Sequence, residues 1–209
     1  MKLAGKTERE RRPGVPQPDE KSALLVVDVQ VDFCPGGALG VPGGTEILAT
    51  INHYVRYFHG RGLPVIMSRD WHPANHCSFK EQGGPWPVHC VQGSRGGQFH
   101  PDLIIPPGTS IISKATDPKR EAYSAFDGTP LEQRLRDHGA DTIFIAGLAT
   151  DYCVKLTALD GLRLGFRIVV LEDAIRGIDA TPGDIERAIQ DMRAAGAMFA
   201  TAAELGVPV

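Results

Sequence analysis

The sequence predicts an α/β fold in three layers, a mostly parallel sheet covered by helices on both faces. Three observations carry this reading. Short apolar runs recur six times along the chain, helix-like segments lie between most of them, and the runs are continuous rather than alternating. Continuous runs suit strands buried on both faces, and strand–helix alternation suits βαβ units with right-handed crossovers. A chain of 209 residues with 42% hydrophobic side chains has room for one core and needs no disulfide or structural metal to hold it.

The elements follow in order. Residues 1–20 carry five basic and four acidic side chains with Pro13, Pro16 and Pro18, and are expected to form a mobile tail ahead of a single domain over 21–209. The first run is Ala23–Val27, and the others lie at 64–67, 110–113, 142–146, 167–171 and 197–200. Helix patterns cover 45–59, 130–138, 151–164 and 182–195, several opening on Thr, Asp or Pro and closing near Gly. One connection breaks the rhythm: residues 71–110 hold six Gly, six Pro and four of the seven His. So long a loop inside a compact domain is usually functional.

Composition excludes several function classes. A net charge of −3 lacks the basic footprint of a nucleic-acid binder, and no apolar stretch reaches membrane-spanning length. Neither nucleic acid nor membrane is expected as a partner. The N-terminus shows no apolar segment of the secretory type, and Cys34, Cys77, Cys90 and Cys153 have no regular spacing. Reduced thiols in a cytoplasmic setting are therefore expected.

In an open parallel sheet, ligands bind beyond the carboxyl ends of the strands, so the reactive residues that follow each run are the informative ones. The first run leads into Asp28, the second into Asp70 and His72, and the third into Lys114. The fourth passes through Gly147-Leu148-Ala149-Thr150-Asp151 to Cys153 at a helix start, and the fifth ends at Glu172 and Asp173. A thiol in a first helical turn feels the positive end of the dipole, which lowers its pKa and makes it a candidate nucleophile. The same turn can aim backbone N–H groups at a developing oxyanion. Asp28 sits inside an otherwise apolar strand, where a carboxylate must be paired or protonated, and a cation such as Lys114 would stabilise a thiolate. Asp70 and His72, with His76 and His89, offer the carboxylate and imidazole mixture that zinc or iron takes at an open catalytic site.

Taken together, segments 23–39, 68–79, 86–93, 114–118, 123–126 and 147–154 resemble the nicotinamidase (pyrazinamidase) family of the isochorismatase-like cysteine hydrolase superfamily. The resemblance runs from about residue 22 to the C-terminus. It implies the isochorismatase-like hydrolase fold, with six strands in the order 3-2-1-4-5-6, and a catalytic triad of Asp28, Lys114 and Cys153. It also implies an oxyanion hole from the N–H groups of Ala149 and Cys153, with a cis peptide between Leu148 and Ala149. One divalent metal is implied on Asp70, His72 and His89, zinc first and iron or manganese as alternatives, while His76 is left open. Phe33, Trp86 and Tyr123 match positions lining an aromatic substrate pocket. The implied activity is metal-dependent hydrolysis of nicotinamide, and also of pyrazinamide, through a Cys153 thioester in NAD salvage. Association into a homo-oligomer is left open. Metal-free relatives that cleave isochorismate, carbamoyl compounds or maleamate share the fold and triad; the Asp70, His72 and His89 set favours the metal-dependent reading. A noncatalytic binding protein and a redox-sensing thiol protein are the readings from other classes.

Overall fold

The computed structural model describes residues 14–208. Six strands, β1 (Ser22–Val27), β2 (Val65–Asp70), β3 (Ser110–Lys114), β4 (Thr142–Leu148), β5 (Arg167–Arg176) and β6 (Met198–Ala200), form one sheet in the order β3-β2-β1-β4-β5-β6. Every pairing is parallel, so the expected mostly parallel sheet is wholly so.

Strand periodicity sorts the core into two halves. Leu24 and Val26 of β1 point into one cluster, and Ala23, Leu25 and Val27 into the other, all fully buried. The first cluster is closed by α1 (Leu48–His59) through Ile51, Tyr54, Val55 and Phe58, and by α5 (Ala202–Leu205). The second is closed by α2 (Leu131–Asp137), α3 (Lys155–Arg163) and α4 (Asp184–Ala194) through Leu135, Ala158 and Met192. Burial of each large aliphatic side chain contributes about 1.5–3 kcal/mol, which is why the central strands are apolar on both faces.

Several boundaries differ from the sequence expectation, three of them informatively. Residues 42–47 form turns, so α1 starts at Leu48 rather than Thr45. The segment expected as one helix from Asp151 opens as a π-helical turn over Thr150–Val154 before α3 begins. Strand β5 does not end before Glu172 but continues to Arg176, and its ladder with β4 shifts register between Ile145 and Gly147. Glu172 and Asp173 therefore stay within the strand and do not lie beyond its carboxyl end. Asp173 instead accepts hydrogen bonds from the Tyr54 hydroxyl and the Ala202 N–H, both at 2.8 Å, while Glu172 lies 3.3 Å from Arg193.

Residues 1–13 of the expected tail lie outside the described residues. Within 14–20, Val15 packs on the first core cluster, and Gln17 Nε2 donates to the Glu204 carbonyl at 3.3 Å. All four cysteines are free thiols, and among the described residues no helix is long and apolar enough to cross a membrane.

Candidate active site

Four neighbouring strands deliver reactive groups to one rim. Asp28 follows β1 with a left-handed φ of 50°, Asp70 ends β2, Lys114 ends β3, and Cys153 lies in the π-helical turn after β4. Between β4 and that turn the Leu148–Ala149 peptide is cis, as the family resemblance implies. Gly147 has a φ of 118°, and a Cβ there would fall 2.0 Å from the Val27 carbonyl oxygen. Only glycine lets β4 pass this close to β1 just ahead of the turn that carries Cys153.

Lys114 is the hub. Its Nζ lies 3.0 Å from Asp28 Oδ2 and 3.5 Å from Cys153 Sγ, donates to the Ala122 carbonyl at 3.2 Å, and forms a very short ion pair with Asp70 Oδ1. Ser68 Oγ donates to the other Asp28 oxygen at 2.7 Å. All of these side chains are buried, and charges so removed from water persist only when paired in this way.

The electrostatics refine the expectation for the thiol. Burial pushes Cys153 well above the ordinary thiol range; Lys114 opposes the shift, while the Asp28 and Asp70 carboxylates add to it. Burial first, and the two carboxylates after it, thus favour the thiol over the thiolate that a position at a helix start suggests. Burial also raises Asp28 against the pull of Lys114, which makes it a stronger base than an exposed carboxylate. For Lys114, burial is outweighed by Asp28 and Asp70, and the ammonium stays charged. Asp70 goes the other way: burial opposes ionisation, but Lys114 and His72 hold it well below the usual carboxylate range.

Beside this cluster, one ligand atom from each of Asp70, His72 and His89 falls within 4.8 Å of the others. The His72 ring is oriented by Nδ1, 3.3 Å from the Ala115 carbonyl, and His89 by Nδ1, 2.8 Å from the Pro87 carbonyl. Each Nε2 then faces Asp70 Oδ2, at 3.5 and 4.0 Å. Nε2 of His72 is buried with no hydrogen-bond partner, an orphaned lone pair that a divalent ion would satisfy. The residues present therefore fit a metal of the zinc type.

His76 is excluded from that set by its own hydrogen bonds. Its Nε2 is 3.0 Å from the Arg120 carbonyl, which only an N–H can approach, and its Nδ1 meets Ser78 Oγ at 2.7 Å and the Ser78 N–H at 3.3 Å. Both nitrogens are engaged, and the ring packs on His72 with centroids 4.2 Å apart. Behind Asp70, the Gln30 side chain accepts from the Asp70 N–H and donates to the Asp70 and Gly97 carbonyls, at 2.8–2.9 Å.

A small, partly open pocket lies over Cys153, with a cavity volume of about 30 Å³. Phe33, Trp86 and Tyr123, which the family resemblance places in a pocket, are among its lining residues, as are Asp70, His89 and Ala149. Trp86 Nε1 donates to the Tyr123 hydroxyl at 2.8 Å. Sequence reasoning missed Leu39, Glu121, Tyr152 and Ile178, which complete the wall. Tyr152 could have been found, since it adjoins Cys153; nothing local marks Ile178. It is fixed from a distance, by Asp151, whose carboxylate accepts from the N–H groups of Ile178 at 3.0 Å and Asp179 at 2.8 Å. A wider cleft between residues 31–38 and 95–101 holds none of the reactive groups.

An isochorismatase domain model matches residues 22–204. The chain is 43% identical to the nicotinamidase of Escherichia coli K12 over 203 residues, covering 87% of this chain and 95% of that protein. It is 37% identical to the nicotinamidase/pyrazinamidase of Mycobacterium tuberculosis, covering 83% of this chain and 95% of the relative. Among solved structures, the pyrazinamidase of Pyrococcus horikoshii in complex with zinc superposes with a TM-score of 0.83 at 49% identity, covering 87% of this chain and 99% of that one. The L. infantum protein in complex with nicotinate gives 0.83 at 35% identity, covering 90% and 97%.

Proposed function

The chain belongs to the isochorismatase family, and from that premise we propose that it is a metal-dependent amidohydrolase converting nicotinamide to nicotinate and ammonia, and accepting pyrazinamide. The observation that carries this reading is the single buried ammonium of Lys114 shared by Asp28, Cys153 and Asp70, with the orphaned His72 Nε2 beside it.

Asp28 accepts the proton of the neutral Cys153 thiol, and Lys114 stabilises the thiolate as it forms. Sγ attacks the carboxamide carbon, and the backbone N–H groups of Ala149 and Cys153 receive the oxygen as it gains charge. Asp28 returns its proton to the departing nitrogen, the C–N bond breaks, and ammonia leaves a thioester on Cys153. Water then attacks the thioester carbon as Asp28 takes its proton; the C–S bond breaks, the thiol is restored, and nicotinate is released.

Asp70, His72 and His89 would hold one divalent ion, for which we propose zinc, and it would supply a Lewis-acid contact for the pyridine nitrogen that aligns the carboxamide with the thiol. Phe33, Trp86 and Tyr123 would pack on the ring. In the cell this activity would feed nicotinate into NAD salvage, in the cytoplasm to which the four free thiols are suited, from one hydrolase domain spanning residues 21–209.

Ammonia release from nicotinamide by zinc-loaded protein tests the reading, with Cys153→Ala as the blank. Release that disappears in the variant is the expected result. No release from the loaded wild type would move the assignment to a metal-free amidase of the same fold.

A further inference from the structure

Glu121 is a carboxylate in the pocket wall that the proposed chemistry does not use. It is half-buried, and its Oε1 accepts from the Ala122 N–H at 2.9 Å, which fixes the head group to a segment that Lys114 also grips through the Ala122 carbonyl. The adjacent Arg120 does not neutralise it, since that guanidinium pairs with Asp127. Its field reaches the pocket: burial pushes the Tyr123 phenol up, and the Glu121 charge adds to that shift.

A fixed negative charge acts unequally on the two ends of the reaction. The carboxamide entering is neutral, whereas the acid leaving is an anion. We propose that Glu121 is a specificity-determining residue whose charge favours neutral carboxamides over carboxylate-bearing ligands, so that it disfavours anionic amides and weakens retention of the acid product. This rests on the nicotinamide reading above. Discrimination here comes from repulsion of the wrong ligand rather than from a contact with the right one.

Glu121→Gln isolates the charge, because the amide oxygen can still accept from the Ala122 N–H. On zinc-loaded protein, the KM for nicotinamide and the inhibition constant for nicotinate are measured at low salt and at roughly 0.5 M NaCl. The expected result is an inhibition constant for nicotinate that falls about fivefold relative to the KM, a gap that narrows in high salt, and recovery of the wild-type ratio in Glu121→Asp. Parallel shifts of the two constants, or none, would overturn the inference and leave Glu121 as a backbone cap. Absence of ammonia release from wild type would instead sink the parent reading and this one with it, so the two failures are distinguishable.

Discussion

The strand-end rim and the long loop after β2 both build the site, yet they are held by different forces. Asp28, Asp70 and Lys114 project from the ends of paired strands, where ladder register such as Asp70 opposite Lys114 sets their spacing. His89 and Trp86 come from residues 71–109, which contain no long strand or helix among the described residues. There, position depends on isolated bridges such as His72 with Val91 and Phe79 with Trp86, and on side-chain bonds such as those of Gln30. The rim is tied to the core and, in the proposed mechanism, would carry the bond-making chemistry; the loop is tied by polar contacts and would carry recognition. Damage to the rim should therefore cost fold and turnover together, whereas damage to loops should cost affinity first.

The strongest test of that division is Lys114→Met. It leaves Asp28 and Asp70 buried without their shared cation, and should cost about 3–5 kcal/mol, roughly 10 °C in Tm, with turnover reduced about 10³-fold or more. The two carboxylates would then have folded pKa values above their unfolded ones, so stability is retained at low pH and lost as pH rises through those raised values. Thermal unfolding at neutral pH and near pH ~4 should show the deficit shrinking on the acid side; a deficit independent of pH would mean that the ammonium is not what neutralises the pair.

His76→Ala is the next largest. It removes the ring that packs on His72 and orphans the Arg120 carbonyl, so zinc should bind about 10–100-fold more weakly while the fold persists. Competition against a chromogenic chelator reads this directly, and unchanged affinity would show that the loop needs no such support. The smallest effect is expected at Asp151→Ala, which frees the Ile178 and Asp179 N–H groups from their acceptor. The two lost hydrogen bonds, at about 1 kcal/mol each, loosen the Ile178 wall, and the part of that cost felt in binding should raise the KM for nicotinamide roughly three- to tenfold with less change in kcat. A larger loss in kcat than in KM would place the damage at the Cys153 turn rather than in the pocket wall.

Most of this architecture is legible in the sequence, and the gaps have physical causes. Six continuous apolar runs locate six strands because burial on both faces admits little else, and the reactive residue after each of the first four runs lies at the rim. The fifth run misleads because Glu172 and Asp173 look like an exit into solvent. Their partners, Arg193, Tyr54 and the Ala202 N–H, are 20 to 120 residues away in the chain. The surroundings of Cys153 are hidden for a similar reason: a helix start argues for a lowered thiol pKa, whereas burial and the Asp28 and Asp70 carboxylates, which only the assembled rim brings together, push it up. Likewise, His76 has the spacing of a ligand, and its exclusion depends on a carbonyl 44 residues away.

The two tryptophans of the chain occupy contrasting surroundings. Trp71 lies beneath the Arg69 guanidinium, 3.6 Å from its ring centroid, whereas the Trp86 indole is edge-on to Tyr152 and bonded to the Tyr123 hydroxyl within the pocket. The molecule thus contains its own optical reporter: an aromatic ring settling beside Trp86 would alter the emission of that indole. With Trp71 replaced by Phe, intrinsic fluorescence would follow ligand arrival and departure in real time without any label.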